Sequence, residues 1–222
     1  MRRFSRNCVA CPRLATHLRS IRSEYPGYYA RPVAAFGDPL ARLLIVGLAP
    51  GMHGANRTGR PFTGDYAGIL LYRTLYKFGL ATKAESIARD DGLELRNCRI
   101  TNAVKCLPPQ NKPAPEEVRT CNVYLESELR QLPAGAVILA LGSIAHVAVL
   151  RATGLRQAEY PFAHGARYDL PHGYILLDSY HCSRYNTQTR RLTTRMFESV
   201  VGRAAKLSVS ARRGRRSTPV RR

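Results

Sequence analysis

What most limits the folds open to this chain is the alternation of short apolar, β-rich runs with longer stretches of helical periodicity. Runs at residues 43–48, 98–104, 136–141 and 174–177 are short, mostly apolar and rich in β-forming residues. A strand of that kind is buried on both faces, as in a parallel sheet covered by helices. Between and after the runs come helical patterns with recognisable ends. One starts after Asp65 and carries Ile69, Leu70, Tyr72, Leu75 and Tyr76 as far as Gly79. A second starts at Pro115, has Glu116 and Glu117 in its first turn, and sets Val118, Cys121, Leu125 and Leu129 on one face. A third is capped by Ser143 and closed by Gly154, and a fourth runs from about Thr189 through Leu192, Met196 and Val200. Strand followed by helix, repeated, predicts an α/β three-layer sandwich around a central, mostly parallel four-stranded sheet. Such folds bind ligands outside the carboxyl ends of their strands.

Charge narrows the partner. Lys and Arg number 35 against 15 Asp and Glu, a formal net charge of +20 on 222 residues. Residues 203–222 contain eight basic side chains and no acidic one in a Ser, Ala, Gly and Pro context, so removing them leaves +12 on residues 1–202. The basic character therefore belongs to the folded part as well, and nucleic acid is the partner it fits. Residues 1–206 are expected to form one domain and 207–222 a disordered basic tail that adds salt-sensitive affinity. No internal repeat is visible, no run approaches the ~18 apolar residues of a membrane span, and no apolar segment follows the basic N-terminus as a secretory signal requires. A soluble, cytoplasmic, monomeric protein is expected.

Four loops follow the four predicted strands. The first contains Gly47, Leu48, Ala49, Pro50 and Gly51 and continues through Arg57, Arg60 and Phe62 to Asp65; the second runs from Lys105 and Cys106 to Asn111 and Pro113. The third is Gly142-Ser143, and the fourth holds Ser179, His181, Cys182, Arg184, Tyr185 and Asn186. Gly, Pro, Asn, His and Arg at one rim suit close backbone approach to a flat polar ligand and to phosphate. Six cysteines are present. Cys8-x2-Cys11 is a chelating pair, and Cys106 with Cys121 joins a loop thiolate to one on the next helix, a set of four that zinc or an iron–sulfur cluster would accept. Cys98 lies in a predicted strand and Cys182 beside His181 reads as a buried thiol.

The first loop, GLAPGMHGANRTGRPFTGD over residues 47–65, resembles the first motif of family 5, or type B, of the uracil-DNA glycosylase superfamily almost letter for letter. Residues 104–113, VKCLPPQNKP, are similar to its second motif, and residues 179–189, SYHCSRYNTQT, to its third. With the N-terminal cysteines the resemblance spans residues 8 to about 201. It implies a DNA repair glycosylase that hydrolyses the bond between a deaminated base and its sugar, taking uracil and also hypoxanthine or xanthine. It also implies a structural four-iron four-sulfur cluster on Cys8, Cys11, Cys106 and Cys121, with no nucleotide cofactor. Leu48 and Ala49 stand where better-known branches carry a polar residue or carboxylate.

A stacked base hides its glycosidic bond, so the nucleotide must be flipped into a pocket. Gly47, Leu48, Ala49 and Gly51 would line that pocket, and Phe62 is the candidate platform. Asn102 or Asn111 offers the amide that reads the uracil edge. His181 is placed to hydrogen-bond the base O2 as negative charge develops there. Asp65, the only carboxylate in the three motifs, either stabilises the sugar cation or orients water, or caps the helix that follows it. Arg57, Arg60 and Arg184 are candidates for phosphate, and Tyr185 for filling the gap left by the flipped base. Two other readings share the frame: a metal-cluster protein that binds nucleic acid without catalysis, and a dinucleotide-dependent oxidoreductase. The second is disfavoured because neither G-x-G-x-x-G nor the NTPase P-loop pattern occurs.

Overall fold

The computed structural model describes residues 4–213. Among them the strands form one sheet of order β1-β3-β2-β4-β6-β5. Its strands are β1 (Phe36–Gly37), β2 (Leu43–Gly47), β3 (Cys98–Asn102), β4 (Val137–Leu141), β5 (Arg167–Asp169) and β6 (Ile175–Ser179). The inner four, β3, β2, β4 and β6, are mutually parallel. They coincide with the four apolar runs of the sequence. The two edge strands pair antiparallel, so the sheet has six strands and not four. β1 is two residues long and β5 has exposed residues at both ends, so neither carries the apolar run that marks a strand in sequence.

Burial on both faces follows from side-chain alternation along each strand. Leu43 and Ile45 point into a core shared with Leu71, Tyr72 and Leu75 of α3 (Tyr66–Lys77) and with Phe197, Val200 and Val201 of α7 (Thr194–Arg213). Leu44 and Val46 point the other way, toward Leu125 and Leu129 of α4 (Pro115–Leu129) and Ala148 and Val149 of α5 (Ser143–Ala152). That is the three-layer sandwich. A third cluster joins Leu14, Leu18 and Ile21 of α1 (Pro12–Glu24) to Val104, Cys106, Leu107 and Cys121.

Several helix ends differ from the sequence expectation. Gly142, at φ 99°, holds the cap position of α5, and Ser143 is its first helical residue with no capping bond. The last helix begins at Thr194, because Arg190 adopts φ 58° and interrupts the pattern. The segment before it forms a separate short helix, α6 (Arg184–Gln188), capped by Ser183. At the other end α7 continues to Arg213, past the expected boundary at residue 206. Leu207 packs on the core and Ser208 is fully buried, within 3.4 Å of the Asn97 amide. The apolar stripe of the helix thus outlasts the change in composition. The rest of the expected tail, residues 214–222, lies outside the described residues. No helix among the described residues is long and apolar enough to cross a membrane.

Candidate active site

Because β2, β3, β4 and β6 run in parallel and in register, with Gly47 beside Asn102 and Leu141 beside Ser179, their following loops gather at one edge. β2 lies where the chain departs to one side for β3 and to the other for β4 and β6, the reversal point at which such sheets open a crevice. A cleft of about 300 Å³ opens there. It is lined from the first loop by Leu48, Ala49, Gly51, Phe62 and Asp65, from the second by Asn111, and from the fourth by His181, Ser183 and Arg184.

Phe62 forms one wall. Its ring stacks on the His181 imidazole with centroids 5.9 Å apart and planes at 28°. Its backbone sits at φ 54°, a conformation that bulky residues avoid and that surrounding structure must enforce. The enforcement is visible. The Tyr72 hydroxyl donates to the Pro61 carbonyl at 2.8 Å. A Cβ on Gly68 would fall 1.8 Å from the Phe62 carbonyl oxygen, so α3 approaches this closely only because residue 68 is glycine. Gly47 serves the same end beneath the ring, since a Cβ there would lie 2.6 Å from Phe62 Cζ and 2.4 Å from Asn102 Oδ1.

Asp65 is a helix cap and also lines the cleft. Oδ1 accepts from the Gly68 N–H at 2.8 Å and caps α3. Oδ2 lies over the first loop, where a Cβ on Gly51 would sit 3.6 Å away and one on Gly54 only 2.4 Å. Burial pushes its carboxyl above the ordinary aspartate range, against the opposing pull of the Gly68 and Ala67 N–H groups. It is the only carboxylate lining the cleft among the described residues. Burial likewise pushes the His181 pKa down to about 4, so the imidazole is neutral at physiological pH. A neutral ring can donate one N–H to a developing anion without first losing a proton. Cys182 is fully buried in the core behind Asp65, in keeping with a packing thiol.

The asparagines separate. Asn111, exposed and at φ 57°, stands at the mouth of the cleft. Asn102 is 3% exposed beneath Gly47 and Phe62, outside the lining, and its Oδ1 has no hydrogen-bond partner among the described residues. The arginines separate too. Arg57 is exposed and Arg184 lies over the Tyr66 ring at 5.4 Å, with exposed Tyr185 beside it. Arg60, expected to meet phosphate, is instead 3% exposed. Its guanidinium pairs with Asp91 at 2.5 Å and bonds Thr63, Ser86 and the Arg89 carbonyl. Burial alone would raise the Asp91 pKa, but Arg60 and the N–H groups of Leu93, Ile87 and Ala88 hold it well below the usual carboxylate range. Arg60 is therefore an internal tether between the first loop and residues 86–93, which no charge count could reveal.

Two contributors were passed over in the sequence. Tyr66 lines the cleft from the first turn of α3, and its position directly after the capping Asp65 was the available signal. Asn186 donates its amide to the His181 carbonyl at 2.8 Å, and its own N–H meets Ser183 Oγ. It thereby ties α6 to the loop carrying the histidine.

The four predicted cysteines line a second, smaller cavity together with Leu14, Lys105 and Tyr124. Burial first, and then repulsion from neighbouring thiols, raises the pKa of Cys106 and that of Cys11, the latter to about 11. The Lys105 N–H donates to Cys121 Sγ at 3.3 Å and the Tyr124 hydroxyl to Cys8 Sγ at 3.2 Å. Among the described residues no group of three or more His, Cys, Asp or Glu side chains could hold a metal ion. α1 is tied to α4 and to the second loop by one arginine. Arg13 forks onto both Glu117 oxygens at 2.7 Å and bonds the Lys112 carbonyl, next to Asn111.

A parallel α/β sheet whose strand ends close an aromatic wall, a carboxylate and a neutral histidine around one cleft defines a class. Residues 34–204 match the model of the uracil-DNA glycosylase superfamily, and the chain belongs to it. It is 52% identical over 208 residues to the type-5 uracil-DNA glycosylase of Thermus thermophilus, covering 90% of this chain and 94% of that protein. It is 44% identical over 203 residues to the type-5 uracil-DNA glycosylase of Pyrobaculum aerophilum, covering 90% and 88%. A type-4 uracil-DNA glycosylase of Thermotoga maritima is 33% identical over 141 residues, 63% of this chain and 59% of that one. Within the superfamily the chain is of the type-5 family and is a DNA glycosylase, a hydrolase acting on N-glycosyl bonds.

Proposed function

We propose that this chain removes uracil, and also hypoxanthine or xanthine, from DNA by flipping the nucleotide into the cleft and hydrolysing its glycosidic bond. One observation carries the reading: Phe62 and Asp65 from the loop after β2 meet His181 from the loop after β6 around a single cavity. The base stacks on Phe62, and Asn111 at the mouth reads its edge. The C1′–N bond breaks with its electron pair passing to the base, and the neutral His181 N–H hydrogen-bonds the base oxygen on which that charge accumulates. Asp65 Oδ2 faces the oxocarbenium-like sugar. Water then adds to C1′, gives up a proton, and the departing base takes one up, leaving an abasic site and a free base. Leu48 and Ala49 supply no base for water activation, so the barrier must fall mainly through electrostatic support of the separating charges.

The deaminated purines enter the proposal because apolar Leu48 and Ala49 make no hydrogen-bonding demand that only uracil could meet. Arg57, Arg184 and Tyr185 face the DNA at the rim. The chain is taken to act as a monomer.

Cys8, Cys11, Cys106 and Cys121 are the residues that would hold a four-iron four-sulfur cluster. Four thiols around one cavity, with N–H and O–H groups aimed at two of the sulfurs, support that donor set. Bound there, the cluster would act structurally, since these residues join the segment before α1 to the loop after β3 and to α4. Incubation of the folded protein with oligonucleotides bearing uracil, hypoxanthine or xanthine, followed by chromatography of released base, tests the whole reading. Binding without any free base would overturn it.

A further inference from the structure

Beyond the cleft, one half-buried aromatic cluster has no part in the chemistry above. Tyr25 and Tyr28, in the loop after α1, stack with centroids 4.7 Å apart and planes at 28°. His53 from the first motif stands edge-on to both, at 6.2 Å and 6.0 Å. The Tyr28 hydroxyl meets Nδ1 of the exposed His53 at 2.8 Å, which fixes the imidazole. Arg57 Nε donates to the His53 carbonyl at 2.8 Å, placing an exposed cation on the same surface.

The cluster is rigidly joined to the cleft. Tyr29 and Ala30 N–H groups bond the carbonyls of Arg57 and Asn56 in the short helix α2 (Ala55–Thr58), at 3.0 Å each. Gly59 lets Tyr29 close on it, since a Cβ there would lie 2.8 Å from the ring. His53 is two residues from Gly51, which lines the cleft. Exposed Arg22 belongs to the same corner, held to the Ala30 carbonyl at 2.8 Å, while Glu24 lies against Tyr25 and is the one acidic neighbour of the cluster.

We propose that Tyr25, Tyr28, His53 and Arg57 form a stacking subsite for unpaired nucleotides flanking the flipped one, with the strand backbone running past Arg57. The inference rests on the proposed function for its location, and it adds a preference for single-stranded flank. Aromatic faces beside a cation are the elements that hold unpaired bases without reading sequence. The occupant follows from charge, since a +20 chain selects a polyanion, and from continuity with the cleft.

The test uses the full chain and two changes, Tyr25→Leu, which keeps apolar bulk against the cluster around α1 but removes the π-face, and His53→Ala at an exposed position. Fluorescence anisotropy with an undamaged single-stranded oligonucleotide of about 12 nucleotides is expected to show roughly tenfold weaker binding for the double variant. Binding to duplex should change much less. Single-turnover excision from a uracil oligonucleotide should lose its gain from a longer flank while the rate at saturating enzyme stays that of the wild type. Unchanged single-strand affinity, or equal losses on single and double strands, overturns the subsite. Should the wild type excise nothing, the proposed function fails, and the anisotropy arm still decides the subsite.

Discussion

His181→Leu separates catalysis from stability with opposite signs. Leucine fills similar space against Phe62 but can donate nothing to the leaving base. Loss of one preorganised donor costs about 2.7–4 kcal/mol of barrier, so single-turnover uracil excision at pH 7.5 should fall by ~10²- to 10³-fold. Acid stability should move the other way. The folded pKa of His181 is lowered to about 4 by burial, against roughly 6.5 in an unfolded chain. Between those values the unfolded state binds a proton that the folded state does not, so wild-type stability declines as pH falls through 6.5 toward 4. The loss from this one group is about 2 kcal/mol at pH 5 and about 3 kcal/mol at pH 4. Other titrating groups are common to both proteins. Urea unfolding at pH 7.5 and pH 5 should therefore show the variant gaining about 2 kcal/mol relative to wild type on acidification. Equal acid sensitivity would mean that the imidazole is solvated and titrates as in the unfolded chain, and the account of its burial would be wrong.

Asp65→Asn keeps an oxygen to accept from the Gly68 N–H but removes the charge. The melting temperature should stay within a few degrees while excision falls by at least ~10²-fold; parallel loss of both would reduce Asp65 to a cap. Because burial raises its pKa, wild-type activity should decline on the acid side at a pH above the ordinary aspartate value of about 3.9. Arg60→Ala strands Asp91 in a buried site and should cost about 3–5 kcal/mol in denaturant unfolding. Arg184→Ala should leave stability alone and reduce the salt slope of DNA binding by about 0.9; a slope change from Arg60→Ala in still-folded protein would reverse the two assignments. The wild-type protein should contain iron and acid-labile sulfide and absorb visible light, and Cys121→Ala should lose all three with a lowered melting temperature. One zinc per chain would replace the cluster with a single ion.

How much of the site could be read beforehand depended on the kind of interaction. Phe62, Asp65 and His181 were legible because their chemistry is local to short motifs. Asn111 and Asn102 were indistinguishable as residue types, and only the packing of Phe62 over Gly47 put one at the mouth and the other beneath the floor. Arg57 and Arg60 sit three apart on one loop with the same charge. One reaches solvent and the other is buried against Asp91, a partner 31 positions away.

The order of apolar runs and helical patterns determined by itself the layered α/β frame and its four parallel strands, because burial on both faces demands continuous apolar residues that any reading of the chain detects. Motif chemistry determined the reaction class in the same way. The tertiary structure alone decided the short edge strands, the extension of α7 past residue 206, the conversion of Arg60 to a tether and the placing of the capping Asp65 in the wall of the cleft. Each depends on which distant groups share a small dry volume, and hydrogen-bond and ion-pair energies there are set by geometry between loops far apart in the chain.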